Sequence, residues 1–481
     1  KCIIRNRTKD IKLPVLLLHL LPPEHLQYMN VQFIAIGGSA MHNLALALYQ
    51  KGFHITGSDD EIFEPSRSRL FDKGLLPDSE GWYPEKIHTG LDAVILGMHA
   101  RSDNPELIRA QELGIRIFSY PEYLYEQAKD KTRIVIGGSH GKTTITAMVL
   151  HAFRYAGIDT DYMVGAKLEG FDVMVRLSHE ARFMVFEGDE YLTSPIDPRP
   201  KFHLYRPHIG LISGIAWDHI NVFKTFEEYV NQFEIFGRKV EPGGILLCCS
   251  DDAEVNALAE RLRNEVQIQA YGIPDYSLVS GTVVLHHQGK DYPLKVFGRH
   301  NLLNLNGAMA VCRQAGIPDE TFLTSMTSFE GASNRLEKVV SNDHSSVYRD
   351  FAHAPSKVRA TVNALSETFP QRRLVAVLEL HTYSSLNASF LPQYQGSLAS
   401  ASIRVVYYNP HALQIKRLPD LSEAGVRAAF GDPDIRVFSE SSKLAAYLAG
   451  LKAPNQNLLM MSSGNFDNLN LLNFAKEWLA D

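Results

Sequence analysis

Residues 134–155 constrain the fold of this 481-residue chain more than any other segment. An apolar run ends at Gly137, the letters GSHGKTT follow over residues 138–144, and an apolar helical pattern continues to Tyr155. A strand, a tight glycine turn and a helix in that order direct backbone N–H groups toward phosphate oxygens. Lys142 adds a positive charge, and the Thr143 hydroxyl can ligate Mg²⁺. The segment predicts a phosphate-binding loop, although Ile136 stands where the GxxxxGK[ST] pattern has its first glycine; the alternative is a plain glycine turn.

Apolar strands alternate with amphipathic helices along most of the chain. Strands are predicted at Val31–Gly37, His54–Ser58 and Ala93–Gly97, and helices at Met41–Lys51 and near Pro105–Leu113. The pattern restarts after a polar linker at 126–133 and again after 329–334. Such alternation is typical of parallel sheets covered on both faces. We therefore expect an α/β fold of three domains, at 30–129, 130–330 and 331–481, after an N-terminal extension at 1–29.

Composition excludes several classes of protein. The chain has 48 basic and 54 acidic residues and a formal charge of −6, which gives no broad positive surface for nucleic acid or an anionic membrane. Four cysteines are too few for a disulfide framework. No uninterrupted apolar run approaches the roughly 18 residues of a membrane-spanning helix. We expect a cytoplasmic protein that binds its anions locally and contacts neither nucleic acid nor membrane.

Charged and polar residues follow two strands of the second predicted domain. Glu187, Asp189 and Glu190 come at the end of an apolar strand at 183–187, and His219 ends the next strand region. Carboxylates at this edge of a nucleotide-binding sheet are suited to Mg²⁺, which prefers oxygen ligands. Taken alone, the acidic cluster could equally be a solvated loop and the histidine a structural residue. Together with the glycine loop they favour a metal–nucleotide site.

A second glycine turn lies near the start of the chain. Gly37 and Gly38 join a strand to a helix, and Asp59 closes the next strand 22 residues after Gly37, as in a dinucleotide fingerprint. The full GxGxxG pattern would need glycines in place of Ala35 and Ala40. A ligand that carries a diphosphate is therefore favoured over a nicotinamide cofactor, and a simple tight turn is the alternative.

These motifs, in this order, resemble the Mur ligase family, the ATP-dependent amide-forming enzymes of peptidoglycan synthesis. The resemblance runs from about Met29 to the C-terminus. It implies a Rossmann-like N-terminal domain for a UDP-sugar, a central P-loop ATPase domain with a mostly parallel sheet, and a Rossmann-like C-terminal domain for a peptide. The loop at 139–143 departs from the family's GTxGK[ST] only by Ser139 in place of threonine.

The resemblance also implies roles for individual residues. It assigns catalysis to Lys142, Glu187 and His219, and Mg²⁺ binding to Thr143, Glu187 and His219. Contacts with ATP are implied for Gly138, Ser139, His140, Gly141, Lys142, Thr143, Thr144, His300, Asn301, Asn304, Arg335 and Asp350. Contacts with the UDP-sugar are implied for Gly37, Gly38, Ser39, Met41, Ser58 and Asp59. Contacts with the peptide are implied for His353, His381 and Ser384.

Three segments are more similar to family members that attach a murein tripeptide than to those that attach L-alanine. They are Phe63–Ser66, Asp197–Pro207 and Met461–Phe466. The implied reaction joins UDP-N-acetylmuramate to L-alanyl-γ-D-glutamyl-meso-diaminopimelate through an acyl phosphate, with ATP and Mg²⁺, in a monomer or homodimer. The alternatives are L-alanine as the acceptor, or a nucleotide-binding regulatory ATPase that forms no amide bond. A hydride-transfer enzyme is less well supported, because Ala35 and Ala40 replace two fingerprint glycines.

Overall fold

Three separate, mostly parallel sheets organise the chain in this computed structural model. The structure describes residues 29–480 except 99, 167, 169, 172, 195, 219–221, 280, 333 and 334. The predicted extension at 1–29 lies outside the described residues apart from Met29. None of the helices within the described part is long and apolar enough to cross a membrane.

The first sheet is four-stranded and wholly parallel, with strand order β2-β1-β3-β4. Asn104 caps one of its helices, and a Ser119–Glu122 capping box begins another. These side chains accept hydrogen bonds from backbone N–H groups of the first turn and so determine where each helix begins. Its strands are β1 (Asn30–Ile34), β2 (His54–Ser58), β3 (Ala93–Leu96) and β4 (Ile117–Ser119). Its helices are α1 (Ser39–Gln50), α2 (Ser66–Phe71), α3 (Pro105–Glu112) and α4 (Tyr120–Ala128).

The second sheet has seven strands in the order β13-β12-β11-β5-β8-β6-β7, and only the edge strand β7 is antiparallel to its neighbour. Its strands are β5 (Thr132–Gly137), β6 (Thr160–Met163), β7 (Val175–Arg176), β8 (Phe183–Glu187), β11 (Ile209–Ile212), β12 (Ile245–Cys249) and β13 (Gln267–Tyr271). A separate hairpin of β9 (Leu192–Ser194) and β10 (Asp197–Pro200) follows β8. The helices are α5 (Lys142–Tyr155), α6 (Phe226–Arg238) and α7 (Ala253–Leu262).

An antiparallel three-stranded sheet and two helices complete this middle region. The strands are β14 (Tyr276–Val279), β15 (Thr282–His287) and β16 (Lys290–Leu294), followed by α8 (Arg299–Gln314) and α9 (Asp319–Met326). Alternate residues of β5 enter different cores: Ile134 and Ile136 pack with residues of α5 and α8, whereas Val135 packs with residues of α6. Because helices cover both faces, the strand is apolar throughout.

The third sheet has six strands in the order β17-β18-β22-β19-β20-β21, and only β17 is antiparallel. The strands are β17 (Glu337–Ser341), β18 (Ser346–Asp350), β19 (Arg373–Leu380), β20 (Ile403–Tyr408), β21 (Arg436–Phe438) and β22 (Gln456–Met461). The helices are α10 (Pro355–Thr368), α11 (Pro410–Ile415), α12 (Glu423–Phe430), α13 (Ser441–Ala449) and α14 (Leu471–Leu479).

The predicted three-domain α/β architecture is confirmed. The residue boundaries of the three domains stay a prediction. Two local predictions were wrong. Strand β1 ends at Ile34, because Ala35 has a positive φ of 67° that an extended strand does not permit. The expected linker at 126–133 is largely ordered, since α4 continues through Ala128 and β5 begins at Thr132.

Arg133 ties the end of α4 to the loop before β11. Its Nε donates to the carbonyl oxygens of Tyr205 and Arg206 at 3.0 and 2.9 Å. Its Nη1 donates to the carbonyl of Lys129 at 2.7 Å, and its Nη2 donates to Glu241 Oε1 at 2.8 Å. The guanidinium is buried, so these partners replace its hydration.

We expect Arg133→Met to destabilise the protein by about 3 kcal/mol, because buried carbonyl groups such as that of Tyr205 lose their donor and Glu241 loses the shorter of its two ion pairs. The matched control is Arg206→Met, which removes a half-exposed arginine 3.2 Å from the same carboxylate. That change should cost less than about 1 kcal/mol. Urea and thermal unfolding measure both effects. Equal losses in the two variants would contradict this account of Arg133.

Candidate active site

A cavity of about 220 Å³ lies between the second and third sheets, beside the start of α5. It contains every predicted ATP contact except Gly138. The predicted residues that line it are Ser139, His140, Gly141, Lys142, Thr143, Thr144, Glu187, His300, Asn301, Asn304, Arg335, Asp350 and His353. Residues as far apart in the sequence as Ser139 and His353 therefore meet around one space that can hold a nucleotide.

The loop before α5 is closely packed at its two positive-φ glycines. Gly138 has φ +128°, and a Cβ there would lie 2.1 Å from Ser213 Oγ. Gly141 has φ +81°, and a Cβ there would lie 2.3 Å from Asn304 Oδ1. Both positions therefore need glycine for conformation and for space. Gly138 contributes to the shape of the loop without lining the cavity.

Lys142 is held inside the cavity by an ion pair that sequence reasoning did not identify. Its Nζ donates to Glu190 Oε2 and to the Gly138 carbonyl, both at 2.6 Å. The Tyr229 hydroxyl donates to the other oxygen of Glu190 at 3.1 Å. Burial opposes the charge on Lys142, but neighbouring carboxylates, chiefly Glu190, outweigh it and raise its pKa above the ordinary value. The sequence signal was Glu190 itself, in the acidic cluster after β8.

Thr143 and Glu187 place a hydroxyl oxygen and a carboxylate oxygen close together, beside the loop before α5. The Thr143 hydroxyl donates to Glu187 Oε1 at 2.7 Å, and the Gly165 N–H donates to Glu187 Oε2 at 2.9 Å. A hydroxyl and a carboxylate fit Mg²⁺, which completes its shell with water and phosphate oxygens. No cluster of three His, Cys, Asp or Glu residues suited to a metal occurs in the described part. His219, the third predicted ligand, lies outside the described residues.

The third sheet contributes Arg335 and Asp350 to the cavity. The Arg335 guanidinium lies over the Phe351 ring at 4.6 Å, and its Nη2 lies 3.4 Å from Thr143 Oγ1. Asp350, an implied ATP contact, lines the cavity, and its carboxylate accepts from the Ala352 N–H and the Thr361 hydroxyl, each at 2.8 Å. Burial raises the pKa of Asp350. Its observed contacts organise the turn between β18 and α10.

Two neutral imidazoles line the cavity, His300 on α8 and His140 in the loop before α5. Burial lowers the pKa of both His140 and His300 to about 4. His300 Nδ1 is buried without a hydrogen-bond partner among the described residues. Asn301 Nδ2 donates to the Phe297 carbonyl at 2.9 Å, and Asn304 lies against Gly141. An unpartnered ring nitrogen beside two amides is suited to a polar heterocycle such as a nucleobase.

The predicted UDP-sugar residues lie apart from this cavity, at the start of α1. The Gly37 N–H donates to Asp59 Oδ2 at 2.7 Å, so Asp59 holds the turn, and burial raises its pKa to about 6. Met41 and Ser58 are buried within the domain. Gly38 and Ser39 remain at the N-terminus of α1, where anions are favoured.

Sequence reasoning missed a buried cluster beside this turn. Arg69 Nη1 donates to His42 Nε2 and to Asn43 Oδ1, each at 2.9 Å. Asn43 Nδ2 donates to the Ser39 carbonyl at 2.7 Å. The available signal was that Arg69 lies three residues after Phe63–Ser66, one of the three segments similar to tripeptide-attaching ligases.

A second cavity of about 240 Å³ adjoins the first. The two share Ser139, Ser356 and Lys357 as lining residues. The rest of its lining comes from the segment after β11, the start of α10 and the turn near 390–393: Ala216, Trp217, Asp218, Ala354, Pro355, Arg359, Phe390 and Gln393.

The predicted peptide residues do not line this second cavity. His353 lines the first cavity, and His381 lies against Glu379, with Nδ1 3.9 Å from Oε1. Ser384 is buried. Sequence reasoning missed Lys357 and Arg359. Their position directly after the charged end of β18 was the signal.

We expect Gly141→Ala to weaken Mg–ATP binding by at least about 10-fold, because the new methyl group must displace Asn304 and the loop. Gly157→Ala is the matched control, since Gly157 also has a positive φ, of +69°, but has nothing within 4 Å of its Cβ position. Titration calorimetry with Mg–ATP and thermal unfolding distinguish the two effects. Similar ATP affinity in both variants would contradict a steric role for Gly141.

Stability should fall as the pH drops from 6.5 toward 4. The unfolded chain binds protons on His140 and His300 near pH 6.5, whereas the folded protein resists protonation until about pH 4. The contribution of these neutral rings to the free energy of unfolding is complete above pH 6.5. It is lost progressively as the pH falls from 6.5 to 4. In His300→Gln, the melting temperature should therefore change less between pH 7.5 and 5 than in the wild type. An unchanged pH slope would show that His300 does not titrate in this way.

The comparisons with known proteins cover nearly all of the described chain. Sequence models described as "Mur ligase family, catalytic domain", "Mur ligase middle domain" and "Mur ligase, glutamate ligase domain" match residues 30–132, 136–312 and 334–464. A UDP-N-acetylmuramate–L-alanine ligase of Mycolicibacterium vanbaalenii is 30% identical over 468 residues, which cover 92% of this chain and 95% of that protein.

Two solved structures have the same fold. A murein peptide ligase of Psychrobacter arcticus aligns with a TM-score of 0.61 at 20% identity, covering 94% of this chain and all of that one. The UDP-N-acetylmuramate–alanine ligase of Thermotoga maritima aligns with a TM-score of 0.64 at 19% identity, covering 94% and 98%. The chain therefore belongs to the Mur ligase family, and it is an ATP- and Mg²⁺-dependent C–N ligase of peptidoglycan synthesis.

Proposed function

We propose that this ligase joins UDP-N-acetylmuramate to L-alanyl-γ-D-glutamyl-meso-diaminopimelate. The observation that carries the proposal is the pair of adjoining cavities, which share Ser139, Ser356 and Lys357. One cavity has the features of a nucleotide site. The other opens beside it and contains cationic side chains suited to the carboxylates of an acceptor. A reaction between a phosphorylated substrate and an amine needs these two spaces to meet.

The peptide acceptor is supported by three segments and by the size of the second cavity. The segments at 63–66, 197–207 and 461–466 are similar to those of ligases that attach a murein tripeptide. A free alanine would fill only a small part of the 240 Å³ beside Trp217 and Arg359. Arg359 is exposed at the rim, where it can meet a carboxylate more distant from the reacting amine.

The proposed roles of the residues follow their positions. Lys142 and the N–H groups of the loop would hold the β- and γ-phosphates, and Arg335 would approach them from the third sheet. Thr143, Glu187 and His219 would hold Mg²⁺, which neutralises phosphate charge when bound. The adenine would lie near His300, Asn301 and Asn304. Gly38 and Ser39 would bind the diphosphate of the UDP-sugar at the N-terminus of α1.

The chemistry then runs in two steps. An oxygen of the lactyl carboxylate bonds to the γ-phosphorus, and the bond from that phosphorus to ADP breaks, giving an acyl phosphate and ADP. The acceptor amine then attacks the carbonyl carbon and loses a proton, and phosphate leaves with the electrons of the carbon–oxygen bond. Phosphorylation is needed because a free carboxylate has no adequate leaving group.

L-Alanine is the second candidate acceptor. It is favoured by one observation, namely that the curated relative 30% identical over nearly the whole chain is named as an L-alanine ligase. The phosphate chemistry would be the same in both cases. Only the occupant of the second cavity differs, so the choice is one of acceptor specificity.

Acceptor-dependent ADP release tests the proposal. With saturating ATP, Mg²⁺ and UDP-N-acetylmuramate, we expect the tripeptide to raise ADP release at least about 10-fold above L-alanine, because the second cavity has contacts that alanine cannot fill. Mass spectrometry should find the UDP-muramoyl tripeptide. Lys142→Met is the inactive control. Equal or faster turnover with alanine would instead make the protein an alanine ligase, and release that needs no acceptor would contradict both proposals.

A further inference from the structure

Lys357 lies where the two cavities meet. It is the third residue of α10, and its side chain is 23% exposed. It lines the nucleotide cavity together with Lys142 and Arg335, and it lines the second cavity together with Trp217 and Asp218. A side chain from the third sheet thus reaches the boundary between the proposed phosphate donor and the proposed acceptor.

The surroundings of Lys357 are unfavourable for a cation. It stands in the first turn of a helix, where the helix dipole repels positive charge. Burial is the largest effect on its pKa and lowers it, and the charges of Lys142 and Arg335 lower it further, while Asp218 and Glu190 oppose them in part. A protein gains nothing in stability from concentrating three cations in a partly dehydrated space.

No carboxylate among the described residues lies within hydrogen-bonding distance of the Lys357 ammonium. The only ion pair of Lys357 among the described residues is with Asp218 Oδ2 at 3.8 Å, which is beyond hydrogen-bonding distance. Lys142, in contrast, donates to Glu190 at 2.6 Å. The Lys357 ammonium therefore keeps donors that can serve an anion in the shared space.

We infer that Lys357 binds the phosphoryl group during its transfer from ATP to the muramate carboxylate and its departure as phosphate. The inference rests on the proposed function, since it assigns the shared space to the acyl phosphate. In the first step the ammonium hydrogen-bonds to the non-bridging oxygens while the bond from phosphorus to ADP breaks. In the second step it stabilises the phosphate that leaves as the carbon–nitrogen bond forms. The proton released by the acceptor amine goes to water or buffer.

The location of Lys357 also links this role to the arrangement of the domains. Lys142 comes from the loop before α5, whereas Lys357 comes from α10 behind the third sheet. Both cations can surround one phosphoryl group only when the second and third sheets are positioned as seen here. Catalysis then depends on domain closure, because the middle domain, which binds ATP, does not itself carry Lys357.

The test compares Lys357→Met, which removes the charge at similar volume, with Lys357→Arg, which keeps it. Lys452→Met is the matched lysine control, because Lys452 is exposed, precedes the central strand β22 and lines neither cavity. The first measurement is single-turnover ADP formation from ATP and UDP-N-acetylmuramate without acceptor, with the acyl phosphate trapped by borohydride reduction. The second is steady-state turnover with the acceptor that the wild type uses.

We expect Lys357→Met to slow single-turnover ADP formation and kcat by at least about 100-fold, with KM for ATP changed less than about 3-fold. Lys357→Arg should retain activity within about 10-fold of the wild type, since charge is preserved but geometry is not. Lys452→Met should match the wild type. Melting temperatures near that of the wild type show that the variants are folded.

Two results would overturn the inference. One is a single-turnover rate in Lys357→Met within about 3-fold of the wild type. The other is a rise in KM alone, which would make Lys357 a ground-state binding residue. If the wild type itself forms no ADP that depends on UDP-N-acetylmuramate, the proposed function fails, and the inference fails with it. The wild-type reaction therefore separates the two failures.

Discussion

The close approach of the loop before α5 to its neighbours is the constraint on which the site depends. Because Gly138 and Gly141 have no side chains, the loop can lie in contact with Ser213 and Asn304. Ser139 then fastens the loop to the middle domain, since its hydroxyl lies 2.7 Å from the Tyr229 hydroxyl and accepts from the Ala216 N–H at 2.9 Å. A rigid loop directs N–H groups at one point, so phosphate binding costs little reordering of the chain.

The positive charges in the cavity lie near carboxylates, and they do not depend on a net positive charge of the whole chain. The chain is slightly acidic overall, and its cations at the site stand among carboxylates. Lys142 is paired closely with Glu190, whereas Arg335 and Lys357 have looser partners. Such an arrangement keeps the buried charges tolerable in the folded protein while leaving donors for an incoming polyanion.

The second and third sheets each contribute one part of the nucleotide cavity. The loop, Glu187 and α8 come from the middle domain, and Arg335, Asp350 and α10 come from the C-terminal sheet. A site divided in this way exists only when both domains are in place. Under the proposed function, the same closure would exclude water from the acyl phosphate and bring Lys357 to it.

The sequence by itself determined the order of strands and helices, the loop at 138–144 and the glycine turn at 37–38, because hydrophobic period and glycine turns act over short stretches of chain. It also pointed to Glu187 through the acidic cluster at a strand end, and to Asn304 and Arg335 through family resemblance. It did not show that Asp350 holds its own turn, that Glu190 pairs with Lys142, or that Lys357 reaches both cavities. Those facts depend on which strand ends lie close together in space, and the residues at these strand ends are far apart in the chain. Only the tertiary structure decides them, since burial and charge pairing are properties of the assembled cavity and not of any one segment.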